Sequence, residues 1–282
     1  MFFFHHENIK KIIEAVKNGK KEVEVSLDLN LSQQMWSIED NQLILHPDLS
    51  VDISILEPLA SVSKKIFILN ANEPEPLEIR SASYYKLVPT DSVPILEIDG
   101  IKMHRTKDIT PLEDAKNKTQ KVIARGDRVL DTCSGLGYTA IFALKAGAAQ
   151  VISTEKSPEV IQLRSLNPWL AHLHEKQPEF INADISQYID QLESNYFNSV
   201  IHDPPRFTSK TGDLYGKKFY SSLFRVMTKH SKLFHYTGSP KKITKQDRFV
   251  KNAVKRLENV GFSKVVFDEE LQGILGIKFT VS

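Results

Sequence analysis

Hydrophobic and polar positions follow two different periods in the first 105 residues. Apolar residues at helical spacing predict a helix over residues 7–18, and strict alternation predicts a strand over residues 21–29. Asp99-Gly100 is a predicted hairpin turn, and residues 70–76 are a predicted turn-rich break. Together these patterns predict a small α+β N-terminal domain over residues 1–105. Its further short strands, some mixed with helix, are predicted at residues 42–45, 51–56, 65–69, 77–88 and 95–103.

From residue 106 onwards, apolar runs alternate with helical patterns. A polar stretch over residues 106–125 predicts a helix at the junction of two domains. Strands that alternate with helices predict an α/β fold, with a Rossmann-like domain over residues 106–282. Four of the predicted strands end in a carboxylate, at Asp131, Glu155, Asp184 and Asp203. The later elements are predicted helices over residues 219–228 and 245–260, and predicted strands over residues 232–236, 263–267 and 274–281.

A strand, a glycine turn and a helix start follow one another between residues 128 and 140. Asp131 ends the strand, Gly135 and Gly137 form the turn, and the helix begins at Tyr138. Glycine tolerates positive φ and lets a ligand approach the backbone closely, while the helix start offers unpaired N–H groups. The same spacing fits a dinucleotide fingerprint. Asp131 favours a cationic ligand over a pyrophosphate, because opposite charges attract at short range.

This Asp-x-x-x-Gly-x-Gly pattern resembles the first motif of class I S-adenosylmethionine-dependent methyltransferases. The resemblance implies S-adenosyl-L-methionine as cofactor and a seven-stranded class I methyltransferase domain. Glu155 follows Gly137 by 18 residues, a spacing that suits a carboxylate bound to both ribose hydroxyls. Asp184 would lie near the adenine amino group, and it is also a predicted helix cap. The residues expected at the cofactor are Asp131, Thr132, Gly135, Gly137, Tyr138, Thr139, Glu155, Lys156, Asp184, Ile185 and Asp203.

The fourth strand leads into a proline-rich loop. Proline lacks an N–H donor and fixes φ, so this loop presents acceptors in a rigid geometry, namely the Asp203 carboxylate and nearby carbonyls. A nitrogen that donates to such a group has its lone pair aimed at an electrophilic methyl, and such positioning is a large part of catalysis. The loop resembles the fourth motif of amino-group methyltransferases. The predicted catalytic residues are Asp203, Pro204, Pro205, Arg206 and Phe207.

This loop departs from the amino-group motif at one position. Arg206 stands where the motif has an aromatic residue, and Phe207 follows one residue later. Asp-Pro-Pro-x-Phe is similar to the motif of some ribosomal RNA methyltransferases, including enzymes that modify ring carbons or ring nitrogens, so the target atom stays open. Phe207 is a candidate for stacking on the acceptor, and Arg206 for a phosphate contact. Residues 105–282 resemble a family of predicted archaeal methyltransferases with an Asp-Pro-Pro-Arg-Phe motif.

Composition excludes several classes of protein. With 41% hydrophobic residues the chain supports a large core, and no apolar run approaches the roughly 18 residues of a membrane span. The single cysteine, Cys133, excludes a disulfide framework and a cysteine-rich zinc site, and no metal is predicted. Because Cys133 lies in the glycine turn, a cysteine nucleophile is not expected. These features predict a cytoplasmic protein without membrane contact and leave the oligomeric state open.

Positive charge is concentrated in one part of the chain. The net charge is only +2, but residues 206–256 carry 14 Lys and Arg against two Asp, a local net charge of +12. Because this region follows the fourth and fifth predicted strands, its loops are expected to border the acceptor site. Such a field attracts phosphate backbones, which predicts a nucleic acid as partner, with RNA favoured. A solvated lysine-rich helix face is the alternative interpretation.

The hypothesis of a methyltransferase acting on a nitrogen of a nucleic-acid base has two competitors. An aminopropyltransferase has the same fold and uses decarboxylated S-adenosylmethionine, but its polyamine site usually has several acidic residues. Here Asp203 stands close to Arg206 instead. A nucleic-acid-binding protein could also keep the fold without catalysis. The complete set of carboxylates at the predicted strand ends argues against that alternative.

Overall fold

A computed structural model describes residues 1–70, 73–173, 176–209, 211–238 and 246–279. The chain divides into two compact units. Unit 1 consists of residues 1–106 and 162–172, and unit 2 consists of residues 107–161 and 173–282. Nothing in the hydrophobic pattern indicates that residues 162–172 group with the N-terminal part. Within the described ranges, no helix is long and apolar enough to cross a membrane.

Residues 1–106 form three small antiparallel sheets, in the orders β1-β6-β7, β2-β3-β4-β5 and β11-β10-β9-β8. The elements are β1 (Phe3–His5), α1 (His6–Lys17), β2 (Glu22–Val25), β3 (Gln34–Glu39), β4 (Gln42–His46), β5 (Leu49–Asp52), α2 (Ile53–Leu56), a 3₁₀ helix (Glu57–Ser61), β6 (Ile66–Asn70), β7 (Glu73–Pro76), β8 (Glu78–Arg80), β9 (Tyr84–Val88), β10 (Ile95–Ile98) and β11 (Ile101–Lys102).

Local sequence signals account for several of these elements. The predicted first helix is confirmed as α1, whose apolar face buries Ile9 and Ile12. The hairpin turn between β10 and β11 is also confirmed, because Asp99 and Gly100 both have positive φ, as a type I′ turn requires. The predicted break over residues 70–76 is wrong for its second half. Residues 73–76 form β7, an edge strand, where proline is tolerated because no ladder N–H is needed on the outer side.

After residue 106 the chain builds one mixed sheet, in the order β14-β13-β12-β15-β16-β18-β17. β12 to β16 are parallel to one another, and β18 runs antiparallel to both of its neighbours, β16 and β17. The predicted α/β fold class is therefore confirmed. The elements are α3 (Pro111–Val122), β12 (Arg128–Asp131), α4 (Tyr138–Lys145), β13 (Gln150–Glu155), α5 (Pro158–Ser165), α6 (Trp169–Leu173), β14 (Glu179–Asn182), α7 (Ile185–Tyr188), β15 (Phe197–His202), α8 (Lys217–Val226), β16 (Met227–Tyr236), α9 (Gln246–Val260), β17 (Phe262–Asp268) and β18 (Gly273–Lys278), with 3₁₀ helices at Ile189–Gln191 and Gly212–Tyr215.

The strand order creates a switch point between β12 and β15. From β12 the chain moves outward through β13 to β14, and it then returns to place β15 on the other side of β12. The loops after β12 and β15 therefore diverge at the carboxyl edge of the sheet, where open α/β sheets bind ligands. Buried side chains such as Leu130, Val200 and Leu233 form the core beneath this edge.

Two of the predicted boundaries in this sheet need correction. The helix predicted over residues 219–228 ends at Val226, because residues 227–236 form one ten-residue strand in parallel register with β15. The strand predicted over residues 274–281 ends at Lys278, and residues 280–282 lie outside the described ranges.

Candidate active site at the carboxyl edge of the sheet

Residues 132–137, the glycine loop, join β12 to α4 in a tight turn. Gly135 and Gly137 have φ of +50° and +84°, in the left-handed region that favours glycine. The loop is tied to the sheet by the N–H of Ser134, which donates to the carbonyl of Thr154 over 2.8 Å. A Cβ at Gly135 would meet nothing within 4 Å, so this part of the loop faces open space.

Glu155, at the carboxyl end of β13, binds the glycine loop directly. Its Oε2 accepts from the N–H of Gly135 over 3.1 Å, and its Oε1 accepts from the N–H of Ser157 over 2.9 Å. Ser157 in turn caps α5, because its hydroxyl accepts from the N–H of Val160. The half-buried carboxylate therefore fixes the loop and the start of the next helix together.

Asp131 lies at the same edge but has no exposed surface. Its carboxylate is completely buried, and Oδ2 accepts from the hydroxyl of Ser153 over 2.8 Å. The role of Asp131 at the cofactor stays a prediction, and a carboxylate buried in this way would act on a cationic ligand through its field. The side chains of Thr132, Tyr138 and Thr139 are buried as well.

Asp184 follows β14 and has two partners. Its Oδ1 caps α7 by accepting from the N–H and the hydroxyl of Ser186, over 2.9 and 2.7 Å, which confirms the predicted cap. Lys156 forms an ion pair with Oδ2 over 3.9 Å. Ile185 is buried in the core next to it. Lys156 follows β13 and Asp184 follows β14, so this ion pair lies at the carboxyl ends of these two strands.

The predicted acceptor loop, residues 203–207, follows β15 directly. Residue Ile201 pairs with Asp131 on the neighbouring strand, so Asp203 emerges beside the glycine loop. Pro204 is buried, whereas Pro205 and Arg206 are exposed. The hydroxyl of Tyr215 donates to the carbonyl of Pro205 over 2.9 Å, and the hydroxyl of Thr211 donates to that of Arg206 over 2.8 Å. The backbone of the loop is therefore held by two side chains that follow it in the sequence.

Phe207 forms an exposed aromatic surface beside this loop. Its side chain is 55% exposed although it is large and apolar. The ring packs edge-on against Tyr215 at 5.6 Å and tilted against Phe249 of α9 at 5.2 Å between centroids. The ring is therefore oriented by two neighbours while keeping contact with solvent.

Lys118 is a member of the site that the sequence analysis missed. It lies on α3, and its Nζ donates to Asp203 Oδ2 over 2.7 Å and pairs with Asp114 over 2.6 Å. Burial alone would lower the pKa of Lys118, but Asp203 and Asp114 outweigh it and raise the pKa. A usable signal existed, because Asp114 and Lys118 fall on the same helical face as the buried Ala115 and Val122.

A buried histidine pair supports the two loops from below, and it was also missed. The hydroxyl of Thr132 donates to Nδ1 of His202 over 2.7 Å, and Nε2 of His202 donates to the carbonyl of Leu214 over 2.9 Å. The His202 ring stacks on His235 with centroids 4.5 Å apart. Burial lowers the pKa of His202 to about 4, so the ring is neutral near pH 7. This side-chain bond adds to the backbone bond from the N–H of Thr132 to the carbonyl of Ile201, and together they join the glycine loop to β15.

Cys133 lies in the glycine loop at this edge of the sheet. Burial, together with Glu155, raises the pKa of the Cys133 thiol well above its usual value, which disfavours the thiolate. Across the part of the chain that the structure describes, no cluster of three His, Cys, Asp or Glu side chains could hold a metal ion.

The basic residues do not all border the acceptor loop. Lys229 and Lys232 lie in β16, whose register with β15 pairs His235 with His202, so both lysines are at the opposite end of the sheet from Asp203. Arg225 donates to the carbonyls of Ile189 and Leu192 over 2.6 and 2.7 Å and is structural. The prediction that the basic residues border the acceptor site is wrong for Lys229, Lys232 and Arg225. Four others lie outside the described ranges, namely Lys210, Lys241, Lys242 and Lys245.

Comparison with known proteins places the chain in a family. The family described as conserved hypothetical protein 95 matches residues 112–256, just over half of the chain. An uncharacterized protein of Methanocaldococcus jannaschii is 38% identical over 273 residues, covering 95% of this chain and 94% of that protein. The chain belongs to the conserved hypothetical protein 95 family. The match of the conserved hypothetical protein 95 family runs from α3 to α9, so it includes Lys118 and both loops.

More distant relatives and solved structures share part of the chain. Ribosomal RNA large subunit methyltransferase I of Photobacterium profundum is 28% identical over 123 residues, which cover 43% of this chain and 31% of that protein. The chain thus spans about a third of the length of that methyltransferase. Spermidine synthase from Thermotoga maritima aligns with a TM-score of 0.55 at 16% identity, over 75% of this chain and 77% of that one, which shows a common fold.

Proposed function

We propose that this protein is an S-adenosylmethionine-dependent methyltransferase that modifies a nitrogen of an RNA base. The observation that carries the proposal is the placement of the glycine loop and of Asp203 on adjacent strands at the switch point. One loop can hold a cofactor and the other an acceptor within the same cleft. The ribosomal RNA methyltransferase from Photobacterium profundum, similar over 43% of the chain, supports the reaction class.

The residues around the glycine loop fit the cofactor. The open space at Gly135 admits a ligand to the loop backbone, and the buried carboxylate of Asp131 favours positive charge nearby. Glu155 would bind the ribose hydroxyls, and Asp184 with Ile185 would bind the adenine. Lys156 is the ion-pair partner that orients Asp184. Thr132, Tyr138 and Thr139 would contribute backbone groups only, because their side chains are buried.

The acceptor loop supplies orientation. When bound, S-adenosylmethionine supplies a methyl group on a sulfonium, and the new N–C bond forms as the C–S bond breaks and sulfur keeps the electron pair. Asp203 would accept a hydrogen bond from the N–H of the acceptor and take up its proton. Pro204 and Pro205 fix the backbone, and Phe207 would stack on the base. Orientation of this kind contributes strongly to a bimolecular transfer.

RNA is favoured by the charge and the aromatic surface near this loop. Arg206 is exposed beside Phe207, and Lys217 and Lys218 begin α8 with exposed side chains. Arg248 is exposed on α9 next to Phe249, which packs against Phe207. A helix start favours anions, and clustered cations attract a phosphate backbone. An exposed ring surrounded by cations suits an unpaired base with its flanking phosphates.

Polyamine synthesis is the second candidate, because the fold is shared with spermidine synthase. Titration of the protein with S-adenosylmethionine, its decarboxylated form and S-adenosylhomocysteine separates the two. Tighter binding of the carboxylated ligands, followed by transfer of labelled methyl groups to total RNA, supports the proposal. Tighter binding of the decarboxylated form, with transfer to putrescine, would replace it by the polyamine function. Absence of binding to all three ligands would leave a non-catalytic protein.

A further inference from the structure

The carboxylate of Asp203 is controlled by a side chain that lies 85 positions earlier in the chain. Lys118 reaches Asp203 Oδ2 over 2.7 Å. Its own side chain is only 5% exposed, and that of its second partner, Asp114, only 7%. The Asp203 side chain is more accessible, at 22%. The ammonium therefore lies inside the protein, and of these three charged groups Asp203 is the most accessible to a ligand.

We infer that Lys118 is a positioning residue for Asp203, and that the acceptor site selects a neutral nitrogen over an ammonium. This inference rests on the proposed methyltransferase function. Occupation of Oδ2 by the ammonium fixes the rotation of the carboxylate. The same contact offsets much of its negative charge, since Asp203 is as close to Lys118 as Asp114 is. Asp203 then attracts a second cation weakly while it still accepts a hydrogen bond.

The remaining contacts of Lys118 explain how a buried ammonium is maintained. Asp114 precedes Lys118 by one helical turn and compensates its charge, since a buried charge requires a partner. The ring of Tyr236 lies 4.5 Å from Nζ and that of Phe234 lies 5.8 Å away, both within the range of a cation–π interaction. Lys118 is thus held by groups that do not depend on the acceptor.

A purely structural ion pair between α3 and the acceptor loop would show the same distances. The two roles differ in their dependence on pH, because a positioning role changes how readily Asp203 takes up a proton. Burial raises the pKa of Cys133 and Tyr215, so neither side chain ionises in the acidic range in which Asp203 takes up a proton. In the described part of the chain, the titratable groups that face Lys118 or Asp203 include Asp114 of α3, Cys133 of the glycine loop, Tyr215 of the 3₁₀ helix Gly212–Tyr215 and Tyr236 of β16.

The test compares methyl transfer to RNA by five proteins from about pH 5 to about pH 9. They are the unchanged protein, Asp114→Asn, Lys118→Met/Asp114→Asn, Lys118→Arg, and Lys121→Met as a control on the same helix. The double variant removes the ammonium without leaving Asp114 charged. We expect its kcat to fall about tenfold at neutral pH, while its KM for RNA stays within about twofold of that of the unchanged protein. In the profile of kcat against pH, the acid limb, where activity is lost as Asp203 is protonated, should move up by about one pH unit.

Asp114→Asn should move the acid limb to lower pH. Asp203 is then the only carboxylate paired with Lys118 in this contact, so the ammonium stabilises its charged form more strongly. This variant keeps the Lys118 contact and so remains informative if the double variant fails to fold. Lys118→Arg should regain most of the lost kcat. The Lys121→Met control should behave like the unchanged protein, since Lys121 is half-exposed and pairs with Asp268 instead.

The inference is overturned if the acid limb keeps its position in Asp114→Asn, or if the folded double variant keeps the kcat and pH profile of the unchanged protein. Methyl transfer from S-adenosylmethionine to putrescine at a rate similar to that for RNA would also overturn it, because putrescine is a dication near pH 7 and the site would then show no preference for a neutral nitrogen. Failure of the proposed function looks different. In that case the unchanged protein itself transfers no methyl group to RNA, whatever the state of Lys118.

Discussion

The glycine loop and the acceptor loop lie side by side, but they are held in different ways. The glycine loop is fixed mostly by neighbours in its own stretch of chain, from Asp131 to Ser157, and only its first residue, Thr132, also bonds β15, at Ile201 and His202. The acceptor loop depends on Lys118, Tyr215 and Phe249, which come from three separate elements. A loop with local supports can be identified from contiguous sequence. A loop with distant supports can be changed by substitutions far from it, which makes its specificity easier to alter.

The largest expected effect separates acceptor chemistry from cofactor binding. Asp203→Asn removes the charge but keeps a side-chain acceptor of the same shape. We expect kcat to fall by about 100-fold or more, because the acceptor nitrogen loses its orienting partner and its proton acceptor. Affinity for S-adenosylmethionine, measured by calorimetry, should stay within about twofold. Asp213→Asn, an exposed residue further along the same stretch, serves as the control. Equal activity of the two variants would contradict the role of Asp203.

The second effect concerns His202, whose hydrogen bond with Thr132 joins the glycine loop to β15. The pKa of His202 is lowered from 6.5 to about 4 by burial, so the folded protein resists a proton that the unfolded chain accepts. The free energy of unfolding is therefore complete above about pH 6.5 and falls by about 3 kcal/mol as the pH drops towards 4. Denaturant titrations at several pH values measure this slope. His202→Gln should make the slope shallower and leave the share of His5 and His235, whose pKa values burial also lowers. His46→Gln, at an exposed position, should leave the slope unchanged.

The third effect tests whether charge near the acceptor loop binds RNA. Arg248→Glu/Lys251→Glu should weaken RNA binding by about tenfold and reduce the slope of log affinity against log salt by about two. Lys229→Glu/Lys232→Glu makes the same change in charge at the opposite end of the sheet. A similar loss in both double variants would show that only the net charge matters. Cofactor binding should not change in either.

The smallest effect tests the glycine loop itself. Gly135→Ala places a Cβ in the open space where the cofactor is proposed to lie, and we expect about fivefold weaker binding of S-adenosylmethionine. Gly126→Ala is the matched control, because Gly126 also has positive φ and open space but lies in the turn before β12. Both variants should lose similar thermal stability. Equal cofactor affinity in the two would remove Gly135 from the cofactor site.

Much of the fold was predictable because its signals are local. The helix α1, the Asp99-Gly100 turn and the alternation of strands with helices all follow from periodicity and turn chemistry within short windows. Boundaries failed where a tertiary contact overrides local preference. Thr228 continues a helical pattern but lies in β16, because pairing with β15 decides its conformation. Residues 162–172 carry no signal for their grouping with the N-terminal part.

The sequence by itself determined the positions of the glycine loop, of Glu155 and of the Asp203 loop, since each follows directly on a strand and the carboxyl ends of parallel strands meet at one edge. Only the tertiary structure decided which groups touch. It buried Asp131, brought Lys118 to Asp203 across 85 positions, and stacked His202 on His235. The physical reason is that charge and burial depend on all the elements packed around a side chain, and those elements come from distant parts of the chain.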